Sequence, residues 1–238
     1  MNKNGEKVNK AQLKENERCL KLFQADNLDP PTTFDICANA DEKGRVQRAE
    51  DRTRDREEKK CDSLDEPPPF AYTNWETVNP AAVNGARELI YKIFGGPPVL
   101  DSSLAKRADD RETARCQLEI LKRADKLENT VVKELNKAKK KAIKDQTVDS
   151  GAALEAKLQA VFISNDKITK AEDKLVQLVD RRCTDVQASL NSIFPGECGA
   201  EASSLSEVEA CVIAEARYQA CLKINAFDGL NLDCDFWK

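Results

Sequence analysis

The sequence predicts an all-α protein, a disulfide-stapled helical bundle built around a long antiparallel helical hairpin. Three observations point there. Apolar residues are mostly Ala, Leu, Val and Ile, set three and four apart among 34% charged residues and only 5% aromatics. Narrow stripes of that kind suit helices better than a thick sheet core. Alternating Val/Ile/Thr/Tyr runs are essentially missing, so strands have no strong candidate. Nine cysteines are spread widely without a C-x-x-C pair, a pattern that reads as disulfides formed in an oxidising compartment. Nine is odd, so at least one thiol is free, intermolecular, or paired outside this chain.

The elements follow in order. Residues 6–24 carry Val8, Leu13, Leu20 and Phe23 among charges, which predicts a short amphipathic helix. The pair Pro30-Pro31 cannot continue it. The stretch 41–60 has high helix propensity but only Val46 and Ala49 as an apolar face, so it reads as an exposed helix. "CDSLDEPPPFAYTNW" is a stiff linker, and Phe70, Tyr72 and Trp75 beyond its prolines are expected to lay it onto the body. Asn79-Pro80 is a helix-start signal, followed by Val83, Ala86, Leu89, Ile90, Ile93 and Phe94 at helical spacing. "GGPP" stops that helix.

The longest helix is predicted from about 109 to 144, with Leu118, Leu121, Leu127, Val131, Leu135 and Ile143 as its stripe. "DQTVDSG" turns the chain, and a second helical arm runs from about 152 to 182, interrupted near "ISND". Together they form the hairpin. "FPGECG" reads as a loop. Ser206 and Glu209 suggest a capping box for a last helix over about 206–224, with Val208, Val212, Ala216 and Leu222 on one side. The expected organisation is an N-terminal helical segment over 1–62, a Pro-rich linker over 63–78 and a helical bundle over 79–238, with one domain overall as the alternative.

Geometry restricts the disulfides. Cys211 and Cys221 share a predicted helix, about 15 Å apart along its axis, and Cys37 and Cys61 flank another by on the order of 30 Å. Neither pair can approach the roughly 7 Å between Cα atoms that a bridge needs. Cys116 lies 33 residues before Asp149 in the hairpin turn and Cys183 lies 34 after it, so antiparallel packing brings them together. Cys221 and Cys234 bracket Asp228-Gly229, a turn signal, and are expected to pair. Cys198 and Cys211 are expected to pair for similar reasons. Cys19, Cys37 and Cys61 remain, with one odd.

Several chemistries are excluded. With no histidine, the chain has no Ser-His-Asp triad, no Cys-His dyad and no His-ligated haem or zinc. Nucleotide-binding glycine motifs are absent. No run of about eighteen apolar residues occurs, so no membrane span is expected. A net charge of −4 gives no overall reason to expect nucleic acid. The run Lys137, Lys140, Lys141 and Lys144 shares a broad face but reads as a solvated helix end. The segment 185–238 is acidic, with nine Asp/Glu against three Lys/Arg, a polarity that could orient subunits or partners. The C-terminal stretch fails an EF-hand register, because Ile224 and Ala226 would occupy ligand positions. A looser calcium or small-ligand site from Asp228, Asn231, Asp233 and Asp235 is the alternative reading. The main expectation is a non-enzymatic structural or protein-interaction protein, without cofactor or metal, that binds a protein partner or itself.

The ending Cys211, Cys221, Leu222, Asn225, Asp228, Gly229, Leu230, Asp233, Cys234 and Asp235 forms C-x9-C-L-x-x-N-x-x-D-G-L-x-x-D-C-D. With "DRETARCQLEILKRADKL" and "FPGECG", it resembles a loose family of uncharacterised cysteine-rich, helical, secreted bacterial proteins. The resemblance covers much of the chain from about residue 36. It implies export to the periplasm or beyond and disulfide bonding, and supplies no catalytic residues. No signal peptide is visible in the polar start "MNKNGEKVNK".

Overall fold

Leu121, Ala124, Leu127, Val131 and Leu135 recur at steps of three and four and are fully buried. They lie on α6, Arg111–Lys144, around which the other helices assemble. The computed structural model describes residues 2–61, 68–186 and 188–237, and the helices in that range are α1 (Asn2–Gln24), α2 (Phe34–Ala40), α3 (Arg45–Lys60), α4 (Trp75–Phe94), α5 (Val99–Ser103), α6, α7 (Gly151–Ser164), α8 (Asp166–Cys183), α9 (Leu190–Ile193), α10 (Glu197–Ala200) and α11 (Leu205–Asp228), with a last 3-10 turn at Asp235–Trp237. No strand occurs among the described residues. The protein is an all-α, disulfide-stapled bundle.

The hairpin is present. α6 lies against α7 and α8, and α8 packs along it most extensively. Asn165 makes the interruption, its side chain accepting hydrogen bonds from the Lys167 and Ile168 amides. Such a cap contributes about 1 kcal/mol. Asp110 and Ser150 cap α6 and α7 in the same way. α11 fills the groove between α4 and α6.

α1 sits between α3, α4 and α6 and shares their core, which runs without a break from Val8 to Cys234. That position explains its polar interior. Gln12 donates to the Ala38 carbonyl at 3.0 Å, Asn16 to that of Ala86 at 3.2 Å and Gln24 to that of Ala114 at 2.7 Å. Each buried amide therefore ties α1 to a neighbouring segment instead of standing unpaired.

Several expectations need correction. α3 is not solvated on all sides. Val46, Ala49, Thr53 and Glu57, at steps of three and four, are buried against α1. α4 starts at Trp75, not at Asn79, because Asn74 accepts from the Thr77 amide and caps it. Pro80 then falls inside the helix, and residues 75–78 of the expected 63–78 linker belong to α4. Residues 63–67 of that linker lie outside the described residues. The last helix is capped by Ser204 and Glu207, not by Ser206 and Glu209. Leu222 is 40% exposed and Ile143 44% exposed, so neither belongs to its helix's buried stripe. "FPGECG" contains the short helix α10.

Four disulfides join Cys19–Cys37, Cys116–Cys183, Cys198–Cys211 and Cys221–Cys234, with Cα separations of 4.8 to 5.7 Å. The second closes the open end of the hairpin. The first fastens α2 to the C-terminal part of α1. Cys61, at the end of α3, is the free thiol. Phe70 packs on the core, and Tyr72 and the Trp75 amide both donate to the Glu57 carboxylate, at 2.6 and 2.5 Å. The aromatic segment thus lies down on α3.

Candidate functional site

The C-terminal stretch is an architectural clasp. Gly229 adopts φ 61° and caps α11, a left-handed conformation that glycine enters without a Cβ penalty. Leu230 and Leu232 are buried behind it. The Asn225 carboxamide donates to the Leu232 carbonyl and accepts from the Leu232 amide, both at 2.9 Å. Cys221–Cys234 closes the loop. Asp228 points inward and pairs with Lys139 at 2.5 Å. It is fully buried there, while Asn231, Asp233 and Asp235 face solvent. The four residues of the expected oxygen site are therefore not brought together. Among the described residues, no group of three His, Cys, Asp or Glu side chains could hold a metal ion.

Lys139 shows how the interior treats charge. Burial pushes its ammonium below the ordinary lysine value, and Asp228 opposes that shift. A second centre joins Lys223 of α11 to Glu128 of α6. Glu128 is fully buried and Lys223 is 1% exposed. Burial raises the Glu128 carboxyl and lowers the Lys223 ammonium, each shift opposed by the partner. One turn earlier on α6, Asp125 is pushed well above the carboxylate range, by burial first and by Glu128 second. A neutral Asp125 beside one ion pair is the state this favours.

Gly85 on α4 makes room for this centre. A Cβ there would lie 2.4 Å from Lys223 Cε. The site is thus built from three helices: a carboxylate pair on α6, a lysine on α11 and an absent side chain on α4. It is buried, and its charges tie the helices together. Sequence reasoning missed it.

Glu209 is another buried carboxylate, 2% exposed. Burial first and Asp180 of α8 second raise it from 4.5 to about 7. A folded value above the unfolded one means the native state holds the proton more tightly. Stability from Glu209 is therefore fullest below about pH 4.5 and falls as pH rises to about 7. Glu209→Gln should flatten that slope and, allowing for solvent near the carboxyl, gain about 1 kcal/mol at pH 8. Urea melts of both proteins at pH 5 and pH 8 check this.

Two open grooves on the described surface concentrate charge. One, between α3 and α4, encloses about 420 Å³ and holds the Arg54 guanidinium 5.9 Å from the Trp75 ring centroid. Acidic Glu50, Asp51 and Glu76 share it. The other, of about 510 Å³, runs between α6 and α8 and is lined largely by lysines. The basic run at the end of α6 divides: Lys139 turns inward, Lys137 pairs with Glu134 at 2.6 Å, and Lys140, Lys141 and Lys144 stay exposed. No protein-family model, curated protein or solved structure matches this chain. No helix among the described residues is long and apolar enough to cross a membrane.

Proposed function

We propose that this chain is an exported helical protein that works by binding a partner or building a structure, not by catalysis. The observation that carries the export reading is the cysteine arrangement. Eight of the nine cysteines lie in four bridges, leaving Cys61. Reducing compartments keep such thiols free, so a frame of this kind belongs outside the cytosol. The C-terminal motif supports the same reading through its resemblance to secreted bacterial proteins.

The binding role rests on how the reactive groups are used. Three carboxyls with raised values, Asp125, Glu128 and Glu209, are buried in the helix packing. In an enzyme such groups would open on a cleft. What the molecule presents to solvent is a rigid charged surface on stapled helices.

Thiol counting tests the export reading. Denatured, unreduced protein taken from its native host should contain one reactive thiol per chain. Seven to nine would contradict export.

A further inference from the structure

The α6/α8 groove has a chemistry that the architecture does not require. Lys122, Lys126 and Lys133 line its α6 wall, and Lys167, Lys170 and Lys174 line its α8 wall. Both sets advance by one or two helical turns, so each stays on a single helix face. The two rails run about 16 Å and about 10 Å along the helices. Arg123 is paired with Glu119 and Lys167 with Glu134. Among the described residues, no carboxylate lies within ion-pair distance of Lys122, Lys126, Lys133, Lys170 or Lys174. Two carboxylates also line the groove, Glu17, paired with Lys21, and Glu134, paired with Lys137 and Lys167. Five ammonium groups without an ion pair of their own repel one another across it, a cost that an anionic ligand would reverse.

The floor narrows the class of anion. It contains Asn129, Thr130 and Ala171, with no aromatic ring. Nucleic-acid bases would find nothing to stack on. A protein partner would find no apolar pocket for an anchoring side chain. The buried Asn129 carboxamide oxygen accepts no hydrogen bond within the protein.

We propose that this groove binds a linear anionic polysaccharide, its sulfates or carboxylates lying on the two lysine rails. The proposal deepens the binding reading above and rests on it. The groove is held in shape before the ligand arrives. Cys116–Cys183 ties the same two helices together, and Leu127, Val131, Ile168 and Leu175 are packed and fully buried around it. Pre-organisation of this kind limits the ordering cost of binding.

The probe is heparin, titrated into the oxidised full chain at about 0.15 M salt, near the physiological ionic strength at which exposed charges are screened. The groove variant is Lys126→Gln/Lys133→Gln/Lys170→Gln/Lys174→Gln. The control, Lys140→Gln/Lys141→Gln/Lys144→Gln/Lys157→Gln, removes the same charge from exposed sites outside the groove. The groove variant should lose about tenfold or more in affinity and the control less than about threefold, since charge neutralisation counts mainly where the ligand lies. Equal losses in the two variants, or no binding by the parent chain, would overturn the proposal. Tighter binding to a single-stranded oligonucleotide than to heparin would overturn it in favour of nucleic acid. The thiol count is independent, so one free thiol in a chain that ignores heparin rejects the groove and leaves the export reading standing.

Discussion

Lys223→Met is expected to cost about 3–5 kcal/mol, because it leaves Glu128 buried without its cation. Glu128 has no solvent route, as it is fully buried on α6. The replacement fills similar volume, so the loss reports charge rather than a cavity. A chain of this kind is typically stable by about 5–15 kcal/mol, so the variant would give up a large share. Its melting temperature should fall by on the order of 10 °C. The loss should be smaller at pH 5 than at pH 8. Without Lys223 the Glu128 carboxyl is raised further, and the native state then gains from protonation as pH falls. Adding Glu128→Leu to Lys223→Met should recover most of the stability, since apolar pairs often replace buried ion pairs at little cost. Thermal melts of the two variants at both pH values check this. A single variant as stable as the parent would mean that the pair is not sealed.

Removing Cys116–Cys183 by changing both residues to alanine should cost about 4 kcal/mol, the most of the four bridges. Its sequence separation is 67, against 18 for Cys19–Cys37 and 13 for each of the other two. Loop-closure entropy grows with the logarithm of that length, so a separation of 13 corresponds to about 3 kcal/mol. The expected order is therefore the hairpin bridge first, then Cys19–Cys37, then the two C-terminal bridges. Guanidinium unfolding of four double-alanine proteins measures it. The hairpin variant should also weaken heparin binding, because the two lysine rails would no longer be held at one spacing.

The hairpin was legible because its evidence is local. Leucines at helical steps, turn residues at 145–151 and two cysteines almost equidistant from Asp149 agree with one another. The caps were less legible. Asn74 and Asn79 are both good first residues, and only packing against the aromatic segment selects Asn74. Ser204 and Ser206 differ by the same kind of choice.

The charge centre is hard to see in the sequence because lysine and glutamate are almost never fully buried unless paired. Their spacing carried a signal all the same. Glu128 falls between Ala124 and Val131 in the buried stripe of α6, and Lys223 falls between Ala220 and Phe227 in that of α11. Two helices with opposite charges at core positions, and a glycine in a third, describe a buried pair before any coordinates are seen. The lysine groove left a weaker trace. Its two rails are separated by a turn and another helix, and only the hairpin register sets them face to face.

The central claim is a disulfide frame formed outside the cytosol and closed in one pattern. Peptide mapping of the unreduced native protein tests it most directly. The expected map contains Cys19–Cys37, Cys116–Cys183, Cys198–Cys211 and Cys221–Cys234, with Cys61 open to alkylation. A native chain in which Cys116 and Cys183 carry free thiols, or in which Cys61 is bonded to one of the other eight, would contradict it.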